Sequence, residues 1–121
     1  MAIIPIRVHA ILDYVVGVVL IVAPYLLGFA DGDAAQFVPQ LIGVATLIAS
    51  LLTRYDLGAI KLIPFRTHLI LDMLMGIVLL VSPWLFGFAD RIWWPHVLFG
   101  LIYIVVPLLS HRDAAVAHVH L

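Results

Sequence analysis

The sequence predicts an all-α protein, a four-helix transmembrane bundle of two tandem parallel-repeat helical hairpins. Three observations predict it. Of 121 residues, 65% are hydrophobic and only 11% charged, where a soluble domain is about half apolar and about a quarter charged. Four apolar stretches follow one another, at residues 8–29, 37–52, 67–88 and 93–109. The first half of the chain recurs in the second at an offset of 59 residues, as His9 and His68 show.

The composition excludes whole classes of function. With mean hydropathy of +1.22, there is too little polar surface to cover a globule in water. A net charge of -1 with six Lys and Arg leaves no basic footprint for nucleic acid. Cys is absent, so there is no disulfide framework, thiolate metal site or Cys nucleophile. No Gly-x-Ser-x-Gly and no glycine-rich phosphate loop occurs, and no enzyme activity is expected. The expected partner is membrane lipid.

Each stretch is read as a helix, because backbone in lipid must satisfy its own hydrogen bonds. Barrel strands would alternate polar and apolar residues, and these runs do not. The first stretch meets the requirement of about 20 apolar residues for a core of about 30 Å. It is too long for the apolar region of a signal peptide, and its pattern returns mid-chain. The second is shorter and draws on its flanking turns. Gly43, Thr46 and Ser50 line one of its sides, as close helix packing would require. The third repeats the first. The fourth carries Pro107 where Ser50 aligns in the second, which predicts a kink in one half only.

Basic residues set the expected orientation. Arg7, Arg54, Lys61, Arg66 and Arg112 fall at the N-terminus, the middle loop and the C-terminus, while only Arg91 faces the other side, beside Asp31, Asp33 and Asp90. The bias predicts that both termini are cytoplasmic. Trp84, Trp93 and Trp94, with Tyr25, Phe29 and Phe37, suit an aromatic belt on the opposite face. Arg7 and Arg66 are expected to reach toward headgroups. The loop from Arg54 to Arg66 reads as a short interfacial segment, and His96 as an interfacial residue.

Residues 4–31 read IPIRVHAILDYVVGVVLIVAPYLLGFAD, and residues 63–90 read IPFRTHLILDMLMGIVLLVSPWLFGFAD. The second helices match more loosely, with Pro39/Pro95, Gly43/Gly100 and Asp56/Asp113 paired at a shifted offset. The chain is thus one integral membrane domain, 1–121, with internal repeats 4–57 and 63–113. An even number of spans per copy gives both copies one orientation, related by a pseudo-twofold axis along the membrane normal. His9 and His68 then share one depth, as do Asp13 and Asp72.

Ser82-Pro83-Trp84 before Gly87 resembles the signature of the SPW-repeat family of small bacterial membrane proteins; the first copy departs from it as Ala23-Pro24-Tyr25 before Gly28. The resemblance implies a membrane-bound helical-hairpin repeat and no particular reaction. The motif residues themselves read as architectural. Pro24 and Pro83 each remove a backbone bond near a helix end. Ser82 is placed to rebond a freed carbonyl, and Gly28 and Gly87 suit helix C-caps.

The spans carry few charges, and the exceptions are Asp13 and Asp72. They lie roughly 12 Å beyond Pro5 and Pro64 at about 1.5 Å per residue. Each has a His one turn earlier, and Gly17 and Gly76 continue the same face. Ionisable groups at such depth face a bundle interior or a cavity. Three readings compete. In the first, each Asp bonds its own His, and the cluster is structural or passes protons. In the second, His9, Asp13, His68 and Asp72 converge on Zn²⁺ or another divalent metal. The spacing is similar to the intramembrane site of some cation diffusion facilitator zinc transporters, and a transporter this small is expected to work as a homo-oligomer. In the third, His9 and His68 ligate b-type haem, with the Asp residues orienting the rings. His111, His118 and His120 in the tail are read as an exposed tail rather than a site.

Overall fold

The computed structural model describes residues 3–110, and Arg112, Asp113 and the tail histidines lie outside the described residues. Among the described residues there are four helices: α1 (Ile6–Leu26), α2 (Ala34–Leu51), α3 (Phe65–Leu85) and α4 (Trp94–Leu109). The first three are long and apolar enough to cross a membrane, and α4 is shorter at 16 residues. Side chains such as Val15, Leu41, Ile70 and Leu74 are exposed on the bundle's outside. Hydrocarbon would surround them in a bilayer.

α1 packs along α2, α3 along α4, and α2 against α3. Small residues set the closeness of the first two pairs. A Cβ on Gly43 would stand 2.6 Å from the Gly17 carbonyl oxygen, and one on Gly100 would stand 2.7 Å from the Leu80 nitrogen. Backbone therefore touches backbone at both crossings, as the small-residue face predicts. Gly43→Ala is expected to lower stability by roughly 1–3 kcal/mol through overpacking, read as a lower melting temperature in detergent. Leu20, Ile42, Leu79 and Tyr103 fill the centre. There Thr46 and Tyr103 share a hydrogen bond of 2.5 Å between their hydroxyls.

The repeated ends of α1 and α3 behave as capping devices. Gly28 and Gly87 have φ of +77 and +74, a conformation that costs other residues about 1–2 kcal/mol. Phe29 N–H then donates to the Pro24 carbonyl and Phe88 N–H to that of Pro83, at 2.9 and 2.8 Å. This is the Schellman pattern, and it turns the Phe29 and Phe88 rings inward. Ser82 Oγ donates to the Leu79 carbonyl at 2.7 Å, the oxygen that Pro83 leaves without an N–H. Tyr25 and Trp84 are exposed on the outside of the bundle.

His96, in the first turn of α4 beside Trp94, is enclosed by protein rather than exposed. It is 1% exposed, lies under Phe29 and Phe88, and its Nε2 donates to the Ala35 carbonyl at 2.8 Å. The inward-turned phenylalanines cover it, which periodicity in α4 alone does not reveal.

Candidate functional site

The ends that carry Pro5 and Pro64 are tied to their opposite hairpins. Ile3 and Ile4 N–H both donate to the Leu109 carbonyl, and Leu62 and Ile63 N–H both donate to the Leu52 carbonyl. These ties bring the start of α1 beside the end of α4, and the start of α3 beside the end of α2. His9, one turn into α1, and His68, one turn into α3, then point to the same interior.

Four side chains meet there. His9, Asp13, His68 and Asp72 each offer a ligand atom, and these atoms all lie within 4.8 Å of one another. The ring is closed across helices. His9 Nε2 is 3.0 Å from Asp72 Oδ2 and 3.2 Å from Asp13 Oδ1. His68 Nε2 is 2.8 Å from Asp13 Oδ2 and 3.3 Å from Asp72 Oδ2. Each imidazole thus touches its own carboxylate and, more closely, the one on the other helix. Simple i,i+4 pairing does not describe the cluster. Both histidines are 0% exposed, Asp13 is 7% and Asp72 is 3%, so the carboxylates cannot rely on bulk water for their charge.

Two hydroxyls fix the imidazole tautomers. Thr53 Oγ1 lies 2.5 Å from the Ala49 carbonyl and 2.7 Å from His68 Nδ1. Ser110 Oγ lies 2.6 Å from the Val106 carbonyl and 2.7 Å from His9 Nδ1. A carbonyl only accepts, so each hydroxyl proton goes to its carbonyl. Each hydroxyl must then accept from Nδ1–H. In a neutral imidazole the lone pair is left on Nε2, aimed at carboxylate oxygens. Lone pair facing lone pair at such distances is relieved only by positive charge between them, a proton on Nε2 or a metal cation.

Sequence reasoning missed Thr53 and Ser110. The signal was present: the register that pairs Gly43 with Gly100 also pairs Thr53 with Ser110. It also missed the role of the middle loop. Tyr55 is buried, and its hydroxyl donates to Asp13 Oδ2 at 3.1 Å. Burial and then the Asp13 charge push that hydroxyl well above the usual tyrosine range, so it remains a donor. Phe65 stands edge-on to His9 at 5.2 Å and stacks on His68 at 6.0 Å between ring centres. The loop that was expected only to lie at the surface therefore roofs the cluster.

At the opposite end of the bundle, Arg91 Nη1 donates to Asp31 Oδ2 at 2.9 Å, linking the two interhelical turns. Partial desolvation raises the Asp31 carboxyl, but the Asp33 N–H and Arg91 outweigh it and hold it below the ordinary carboxylate value.

The SPW repeat domain family model matches residues 7–110, both hairpins together. The chain belongs to the SPW-repeat family. No curated protein and no solved structure gave a significant match. In this SPW-repeat chain the tripeptide itself does not touch the His/Asp cluster. Ser82, Pro83 and Trp84 end α3 at the far side of the bundle, while His68 and Asp72 stand near its start.

Proposed function

We propose that this SPW-repeat protein is a non-enzymatic membrane protein that binds a divalent cation, Zn²⁺ or one like it, through His9, Asp13, His68 and Asp72. It would lie in a bacterial cytoplasmic membrane with both termini on the cytoplasmic side. Arg7, Arg54, Lys61 and Arg66 gather at the end of the bundle that holds the cluster, and that end is then the cytoplasmic one.

The observation that carries the reading is the convergence of two Nε2 lone pairs and two carboxylates on one interior point. Two neutral imidazoles and two carboxylates sum to a charge that one divalent cation cancels. With bonds of about 2.0–2.1 Å, a tetrahedral zinc site has ligand–ligand edges of about 3.3 Å. The His–Asp separations of 2.8–3.3 Å approach that value. Thr53, Ser110 and Tyr55 would orient three of the four ligands, the usual support of a metal site. His68 Nε2 lacks an aligned hydrogen-bond partner despite its short distance to Asp13, as suits a ligand atom better than an N–H donor.

A proton-filled cluster is the second reading. The 2.8 Å contact between His68 and Asp13 is shorter than a tetrahedral edge and fits an imidazolium–carboxylate pair. Haem ligation has weaker support. A carboxylate oxygen stands 3.0 Å or less from each Nε2, where a haem held by His9 and His68 would need that side of each imidazole clear.

Thr53→Val tests the support of the site. It removes the acceptor for His68 Nδ1–H with little change of shape. Zinc affinity is expected to fall roughly 10–100-fold, measured by competition with a chromogenic chelator in detergent. Unchanged affinity would remove the hydroxyl from the site.

A further inference from the structure

The two sides of the bundle are not equivalent at the level of the cluster. On one side, α2 packs against α3. On the other, a groove between α1 and α4 leads inward past Leu12, Val16, Ile102 and Val106 to Asp13 and Asp72. It holds a cavity of about 20 Å³, enough for one water. Two acceptors that lack a donor belong to residues lining it. Asp72 Oδ1 is buried without a partner. The Tyr103 carbonyl would receive the N–H of residue 107, but that residue is proline and has none. A water has two protons to donate, and two residues lining the groove each carry one such acceptor. The α2 counterpart of Pro107 is Ser50, which keeps its N–H.

We infer that this groove is the hydrated entry to the His/Asp cluster, with one water seated between Asp72 and Tyr103. It deepens the cation-site reading by naming the route through which the cation exchanges. The route suits the depth. Val106 lies within the last turn of α4, about 5 Å from the helix end at 1.5 Å per residue. The groove is therefore reached from the interface rather than from the bilayer centre.

The absence of native Cys makes the test direct. Single variants Val106→Cys and Ile102→Cys line the groove one helical turn apart. Val105→Cys is the neighbouring position on the lipid-exposed face. Each would be treated in detergent-free vesicles with a charged methanethiosulfonate, which reacts only with the thiolate that water permits. Labelling at Val106→Cys is expected to be at least roughly tenfold faster than at Val105→Cys, with Ile102→Cys also faster. Equal rates at all three positions overturn the inference. Ile102→Cys keeps the test valid if Val106→Cys does not fold. Added Zn²⁺ should slow labelling in the groove. If the chain retains no zinc, the cation-site reading fails while the difference between groove and lipid face still stands or falls alone.

Discussion

Asp13→Ala/Asp72→Ala is expected to abolish zinc retention. Protein purified in detergent, loaded with Zn²⁺ and freed of excess, should hold roughly one metal per chain by elemental analysis. The double variant should hold none. His111, His118 and His120 need to be removed from both samples, since tail histidines bind metal on their own. The reasoning is one of charge. Asp13 and Asp72 are the two carboxylates that reach both imidazoles. Without them, two neutral histidines remain in a largely apolar interior, too few to close a metal coordination shell. Zinc kept at full stoichiometry in the double variant would place the metal elsewhere. Absence of metal from both proteins would leave the four groups as two ion pairs, and the proton reading would take its place.

Removing one imidazole should cost the fold more than removing a matched pair. His68→Ala leaves Asp13 with its shortest partner gone, inside a buried site. Truncating one member of a buried pair costs about 3–5 kcal/mol, because the remaining charge is uncompensated. Adding Asp13→Ala removes that charge and leaves His9 against Asp72 at 3.0 Å, a complete pair. The double variant should therefore recover part of the loss. His68→Ala/Asp72→Ala should recover less, since that contact is 3.3 Å and Asp72 is also the closer partner of His9. Two double-mutant cycles by thermal unfolding measure the coupling. A larger coupling within α3 than between α1 and α3 would show that each Asp serves its own His, against the crossed geometry.

How much of this was legible beforehand follows from what each kind of information carries. The four helices follow from composition and span length, because lipid leaves the backbone no other economical solution. The equal depth of His9 and His68 follows from the repeat, since two copies of an even-span unit must share an orientation. The caps were legible in Gly28 and Gly87, where positive φ favours the one residue without a Cβ. Gly43 announced a close crossing for the same reason.

The convergence of the four side chains was not legible. Spacing along a helix fixes which residues share a face, but not which way that face turns in the bundle. Asp13 could have met His9 alone, or turned toward α2. Packing at Gly17–Gly43 and Gly76–Gly100, with the backbone ties from Leu109 to Ile4 and from Leu52 to Ile63, turns both stripes to one point. The same ties bring Thr53 and Ser110 under the imidazoles from the opposite hairpins. By itself the sequence determined the elements, their repeat and their depth, because these depend on local chemistry and lipid thickness. Only the tertiary structure decided that two His-x-x-x-Asp stripes form one crossed cluster roofed by Tyr55 and Phe65, because that depends on helix rotation and long-range contacts.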